Sequence, residues 1–275
     1  MIPKIIHYCW FGGASTPPEL QKCLDTWKTK LSDYTIICWN ENNCSFLEND
    51  FVKQAYAERK WAFVSDFYRL KALYDVGGIY LDTDVMVHKD FDSLLNHSAF
   101  LGFNYDCTVG TAVIGAEPNN KFIGEVLQMY YATKLIEPRQ GKYMQWDAPQ
   151  LLSYGYNTNN YYFTYYMIKK YPKFMLNNSY QEFDCFTIYP KEMFEIGRII
   201  GDYYTIHLNE GSWHKDNMDR NFFKITLKNL IRKNEYIFNV LQILIRTRRY
   251  KIANKTLPFY EYSICQMENK PLPDL

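Results

Sequence analysis

Val64-Ser65-Asp66-Phe67-Tyr68-Arg69 leads, through Asp75-Val76-Gly77-Gly78, into Ile79-Tyr80-Leu81-Asp82-Thr83-Asp84-Val85. The first block has the spacing of a helix, with Asp66 and Arg69 one turn apart on a shared face. Gly77-Gly78 supplies the left-handed residues that end a helix. The apolar run behind it has the length and composition of a strand. A helix, a glycine stop and a strand ending in carboxylates place three acids and one guanidinium at the edge of a sheet. Such a cluster is suited to a divalent ion and the phosphates it neutralises.

Working outward, Ile2 to Trp10 is an apolar run of strand length closed by Phe11-Gly12-Gly13. Glycines there allow a turn and a close approach to the backbone. Pro17-Pro18-Glu19 opens a helix in which Leu20, Cys23, Leu24 and Trp27 recur at helical spacing. Tyr34 to Trp39 is a second strand, and Phe51 to Val76 reads as one long helix. Strand, helix, strand is the order of a βαβ unit, so the expected class is α/β with a parallel sheet. Phe100–Phe103 and Thr111–Gly115 read as a strand pair, 122–131 as a helix, and Thr187–Pro190 and Tyr203–His207 as late strands. Residues 154–166, crowded with Tyr and Asn, have no clear period and read as a loop rich in carbohydrate-compatible side chains.

Parity along a strand from Ile79 to Val87 puts Tyr80, Asp82, Asp84 and Met86 on one face. Two carboxylates about 7 Å apart can then sit either side of a hard cation such as Mg²⁺ or Mn²⁺. Asp90-Phe91-Asp92 repeats the Asp-x-Asp pattern, but it precedes Ser93-Leu94-Leu95 and suits a turn or helix start. Asp66 and Arg69 have two readings: a surface ion pair, or a ligand-binding pair among apolar neighbours. Trp10 could stack on a base or simply cover the sheet. His207, in His207-Leu208-Asn209-Glu210-Gly211-Ser212-Trp213, could bring a third ligand to the metal.

The bulk numbers set limits. At 275 residues, 47% hydrophobic and 22% charged, the chain is that of a globular protein with one substantial core and room for a small appendage. Seven cysteines form no CxxC pair, which argues against a disulfide framework or a zinc site and for a reducing compartment. The N-terminus reads as a strand rather than a leader, and no stretch approaches the ~20 apolar residues of a spanning helix. Net charge is +1, but residues 221–255 carry nine Lys/Arg against Glu235 alone. That segment is an amphipathic, basic helix or helix pair. It reads as a helical cap packed on the sheet with a solvated basic face, or as a helix resting on an anionic membrane surface, and both can hold at once. No nucleic-acid-binding motif accompanies the charge.

Ile2-Pro3-Lys4-Ile5-Ile6-His7-Tyr8-Cys9-Trp10-Phe11-Gly12, Ser65–Arg69 and Gly77–Asp84 together resemble the DXD-containing sugar-binding glycosyltransferases. That is family 32, with its initiating mannosyltransferases and capsular polysaccharide transferases; the glucosyltransferase domains of large clostridial toxins are more distant in likeness. The resemblance spans roughly residues 1–215, leaving 216–275 as a basic helical C-terminal extension. It implies a GT-A type fold, with a mixed, mostly parallel sheet flanked by helices. It also implies a nucleotide-sugar donor, Mn²⁺ (or Mg²⁺), and transfer of a hexose with retention. By position, Trp10 would stack on the base, Asp66 and Arg69 would hold donor-sugar hydroxyls, and Tyr80 would line the donor site. Asp82 would contact ribose and metal, and Asp84 the metal. Ser212 and Trp213 would lie near the diphosphate, with Glu210 competing with His207 for the metal.

Departures from the family pattern at Thr111–Ile114 and Asp147-Ala148-Pro149 fall on the acceptor side, where Asp147 is a candidate contact. The implied partners are a nucleotide sugar (UDP-Gal, UDP-Glc, UDP-GlcNAc or GDP-Man) and an oligosaccharide or lipid-linked glycan. The implied setting is bacterial surface polysaccharide synthesis, in the cytoplasm at the inner face of the plasma membrane. Two rival readings are a glycoside or sugar-nucleotide hydrolase and a non-catalytic sugar-nucleotide-binding protein.

Overall fold

The computed structural model describes residues 1–46, 49–131, 159–209, 235–257 and 259–273. Strand β1 (Ile5–Cys9), helix α1 (Pro18–Lys30) and strand β2 (Thr35–Trp39) form the expected βαβ unit, with β1 and β2 parallel and in register from Ile5↔Thr35 to Cys9↔Trp39. Pro18 sits at the start of α1, where a missing N–H costs nothing. Leu20, Cys23 and Trp27 turn inward and are buried.

The long helix expected over 51–76 divides into α2 (Asp50–Ala57) and α3 (Trp61–Asp75). The break falls at Arg59, which adopts a left-handed φ of 55° with no glycine or proline to announce it. Reversing there stacks Tyr56 edge-on against Trp61, with ring centroids 5.3 Å apart. Asn49 caps α2 by accepting a hydrogen bond from the Val52 amide at 2.7 Å.

Gly77 and Gly78 end α3 with φ of 70° and 122°. A β-carbon on Gly78 would lie 2.6 Å from the Ile5 carbonyl oxygen, so only glycine lets the chain enter the sheet beside β1. Buried His7 fixes this junction. The Trp39 indole N–H donates to its Nδ1 at 3.1 Å, leaving the Nε2–H to donate to the Gly77 carbonyl at 2.8 Å.

Strand β3 (Gly78–Leu81) pairs parallel with β1, and β4 (Val85–Val87) follows. Next come β5 (Ala99–Tyr105) and β6 (Thr108–Ala116), the expected antiparallel pair, and α4 (Lys121–Tyr131). Residues 159–166, read from sequence as loop, lie in helix α5 (Asn159–Lys170), with Tyr161, Tyr162, Phe163 and Met167 buried. Its aromatics are core rather than carbohydrate-facing, and the Asn/Tyr composition hides the periodicity. Strands β7 (Gln181–Phe183) and β8 (Phe186–Tyr189), helix α6 (Lys191–Phe194) and strand β9 (Thr205–His207) precede two C-terminal helices, α7 (Glu235–Asn254) and α8 (Tyr260–Met267).

The main sheet has the order β2-β1-β3-β6-β5-β8-β7. All its described strands except β6 and β7 run in one direction. The mixed α/β architecture expected of the GT-A type is the one observed. Alternating residues of β3 feed two cores: Tyr80 joins the larger one, with α2 to α5, while Ile79 and Leu81 join a smaller one with Trp27 of α1.

Strand parity is lost one residue beyond β3. The strand expected to run from Ile79 to Val87 is two strands in two sheets. The Asp82 amide still donates to the Ala112 carbonyl on β6, at 2.8 Å. Its own carbonyl then accepts from the Val85 amide, closing a turn over Asp82-Thr83-Asp84. Beyond the turn, β4 pairs antiparallel with β9, Val85 opposite His207. Asp90 and Asp92 behave as the sequence suggests. The Asp92 amide donates to the Asp90 carboxylate at 3.0 Å, and Asp92 itself binds Lys4 and the Tyr34 hydroxyl.

Candidate metal centre

Because the chain turns between the sheets, Asp82 and Asp84 converge at the tip of the turn instead of sharing a strand face. The pairing of β4 with β9 brings His207 to the same place. One oxygen of each carboxylate and one imidazole nitrogen lie within 4.8 Å of one another. Asp84 Oδ1 is 3.1 Å from His207 Nε2. Two carboxylates and an imidazole at this spacing are a fitting donor set for a divalent ion, and an imidazole is better suited to Mn²⁺ than to Mg²⁺, which prefers oxygen throughout.

The other ring nitrogen of His207 faces a group that the sequence reading missed. Nδ1 lies 2.9 Å from Glu195 Oε2, and Glu195 is 2% exposed. Burial alone would push the His207 pKa down. Asp84 and Glu195 outweigh it and hold the imidazole well above its ordinary value. With a cation in place, the Nδ1–H would stay on Glu195 and the Nε2 lone pair would face the metal, the carboxylate–histidine–metal arrangement of many metal sites. Glu195 lies 12 residues before His207, in a turn after α6. Nothing in its local sequence marks it. We expect Glu195→Gln to keep the fold but weaken Mn²⁺ binding about tenfold or more. Calorimetric titration checks this, and an unchanged affinity would leave Glu195 as packing only.

Beside the turn, Arg69 is a buried hub. Its Nη2 reaches Asp66 at 2.9 Å and Asp82 at 3.3 Å. Its Nη1 donates to the Thr111 carbonyl at 2.9 Å, and the guanidinium lies 4.6 Å from the Tyr80 ring centroid. Asp66 and Arg69 are 7% and 5% exposed, which removes the surface ion-pair reading. Burial lifts the Asp66 pKa to about 6, against the opposing pull of Arg69. Burial would lower the Arg69 pKa, but Asp82, Tyr80 and Asp66 raise it, so this cation is permanent. Asn159 at the start of α5 donates to Asp66 Oδ1 at 3.3 Å. Tyr80 is buried, and its hydroxyl donates to Asp82 Oδ1 at 2.9 Å. It therefore orients the carboxylate next to it.

Trp10 stands half-buried just after β1, at the same edge of the sheet as Asp82, because β1 and β3 are parallel. Its indole N–H donates to the Ala14 carbonyl at 2.6 Å across the Gly12-Gly13 turn. The structure thus brings Asp66, Arg69, Tyr80, Asp82, Asp84 and His207 together and sets Trp10 at the same edge. Asp147, Glu210, Ser212 and Trp213 lie outside the described residues.

The inner face of α7 seals the late side of the centre. Arg246 Nη1 donates to the His207 carbonyl at 2.8 Å. The Tyr250 hydroxyl accepts from Asn209 at 2.9 Å and lies 3.4 Å from Glu195 Oε2.

Residues 17–101 match the family described as a glycosyltransferase sugar-binding region containing a DXD motif. Mannosyl phosphorylinositol ceramide synthase CSH1 of Saccharomyces cerevisiae is 31% identical over 141 residues, covering 46% of this chain and 35% of the yeast protein. A glycosyltransferase of Acanthamoeba polyphaga mimivirus is 32% identical over 130 residues, covering 44% of this chain and 52% of the viral one. The chain thus spans between about a third and a half of the curated relatives it matches. Among solved structures, PaToxG glycosyltransferase superposes with a TM-score of 0.44 at 19% identity, over 62% of this chain and 70% of that one. Asp82-Thr83-Asp84, the turn that joins the two sheets, falls inside the matched region, and over that region the chain is similar to the DXD-containing glycosyltransferases.

Proposed function

We propose that this chain is a metal-dependent, retaining glycosyltransferase that moves a hexose from a nucleotide-sugar donor to a glycan or lipid-linked acceptor. The observation that carries the reading is the convergence of Asp82, Asp84 and His207 beside the buried Asp66–Arg69 pair. A divalent ion, Mn²⁺ on the family resemblance, would supply the positive charge that a departing diphosphate requires. Asp82, Asp84 and His207 would hold it. Arg69 holds Asp82 in place at 3.3 Å and adds fixed positive charge from a buried position. Trp10 offers a ring at the sheet edge for the base. Ser212 and Trp213 would complete the diphosphate side, and Glu210 is the alternative metal ligand. Asp147 is the candidate on the acceptor side.

A lipid-linked acceptor gains support from the yeast relative, whose name places mannose on an inositol-phosphate ceramide. Bacterial surface polysaccharide synthesis stays the proposed setting on the family resemblance. Thermal shift with UDP-Gal, UDP-Glc, UDP-GlcNAc and GDP-Man, each with and without Mn²⁺, tests the donor half. A matching donor at 100 times its Kd should add about 2.7 kcal/mol of stability. Products made with and without an added acceptor then separate transfer from donor hydrolysis. Binding without turnover across all four donors would instead support a sugar-nucleotide-binding protein.

A further inference from the structure

Helix α7 has two faces of opposite character. Ile243, Arg246, Tyr250 and Asn254 recur at the helical period and point inward. Ile243, Tyr250 and Asn254 are buried, and Arg246 and Tyr250 bind the His207 turn. Asn254 accepts from the Asp106 amide at 3.0 Å, pinning the helix end to the β5–β6 turn. The opposite arc carries Leu244, Ile245 and Ile252, which are 51%, 52% and 64% exposed. Around them stand Arg248, Arg249, Lys251 and Lys255, all exposed. From residue 236 to 255 there is no acid. None of these four cations forms an ion pair with a described residue.

We propose that this outer face of α7 docks on an anionic lipid surface. Exposed aliphatic side chains flanked by uncompensated Lys and Arg are the pattern of a helix lying in the plane of a membrane interface. A second copy of the chain is a poorer occupant, since four cations would meet four cations across a two-fold axis. Among the described residues no helix is long and apolar enough to cross a membrane, so the contact is one of surface association. The inner face already clamps the His207 turn. Docking would therefore hold the candidate metal centre about one helix diameter, ~10 Å, from the lipid headgroups. That is a suitable place for a transferase whose acceptor is carried on lipid, although the docking does not depend on the chemistry at Asp82 and Asp84.

The test is flotation of the full chain with vesicles of phosphatidylcholine alone, or of phosphatidylcholine with 30% phosphatidylglycerol, about that anionic fraction being enough to set up a negative surface potential. The result expected is binding to the anionic vesicles only, weakened by added salt. Ile245→Ser/Ile252→Ser and Arg248→Gln/Arg249→Gln should each reduce the vesicle partition about tenfold, with unchanged thermal melts. Both pairs are exposed, so the fold does not depend on them. Equal binding to neutral vesicles, no binding to anionic ones, or full binding by both variants would overturn the proposal. So would an Ile245-dependent dimer in sedimentation without vesicle binding.

Discussion

Asp84→Ala should abolish metal-dependent transfer, with a fall in kcat on the order of 10³-fold. Asp84 offers one of the three candidate donor atoms of the centre, and its Oδ1 lies 3.1 Å from His207 Nε2. Removing it leaves an aspartate and a histidine, too few to hold a cation against water. The fold should survive, because Asp84 lies in a turn at the edge of the sheet and its backbone carbonyl still accepts from the Leu208 amide. The measurement is a transfer assay across a Mn²⁺ titration, with circular dichroism as the check on folding. Full Mn²⁺-dependent turnover in the variant would remove Asp84 from the centre.

The largest expected effect on stability belongs to Arg69. Arg69→Leu leaves Asp66 buried without its cation and removes the donor to the Thr111 carbonyl. Breaking a buried pair on one side costs about 3–5 kcal/mol. For a chain of this size that is a fall in Tm on the order of 10 °C. Asp66→Leu/Arg69→Leu removes both charges together and should recover part of the loss, a coupling that a double-mutant cycle reads directly. Lys71→Ala, which breaks the exposed Lys71–Asp75 pair of the same helix, should cost no more than about 0.5 kcal/mol. Equal losses from the two single substitutions would mean that the Arg69 network contributes no more than a surface contact.

What could be read from the sequence was what local chemistry decides. The βαβ start, the Gly77-Gly78 stop and the β5–β6 pair follow from spacing, φ preference and alternation, and all three are present. Asp82, Asp84 and His207 were legible as candidates because acids and a histidine stood at strand ends. Their geometry was not. Parity assumes one continuous strand, and although Asp favours turns, Asp82-Thr83-Asp84 does not reveal that the ladder passes from β6 to β9. The break of α2 from α3 at Arg59 was hidden for a similar reason: a charged, helix-favouring residue takes a left-handed conformation there, and only the fold brings Tyr56 and Trp61 into contact across the break. Glu195 could not have been found locally. Its importance comes from a contact with His207, and an isolated glutamate near a short helix has many equally good surface roles. Arg69 was visible as a partner of Asp66, but its contacts with Thr111 and Tyr80 depend on strands that only the tertiary fold brings beside α3.

The two-stranded ribbon of β4 and β9 has a consequence for the order of folding. It joins Val85 to His207, a sequence separation of about 120 residues. The β5–β6 hairpin and the β1-α1-β2 unit close over far shorter stretches. Loop-closure entropy sets the pace of such pairings, so the hairpin and the first βαβ unit are expected to form early and the ribbon late. During synthesis, a nascent chain would thus display its two aspartates long before the histidine that completes the set had left the ribosome.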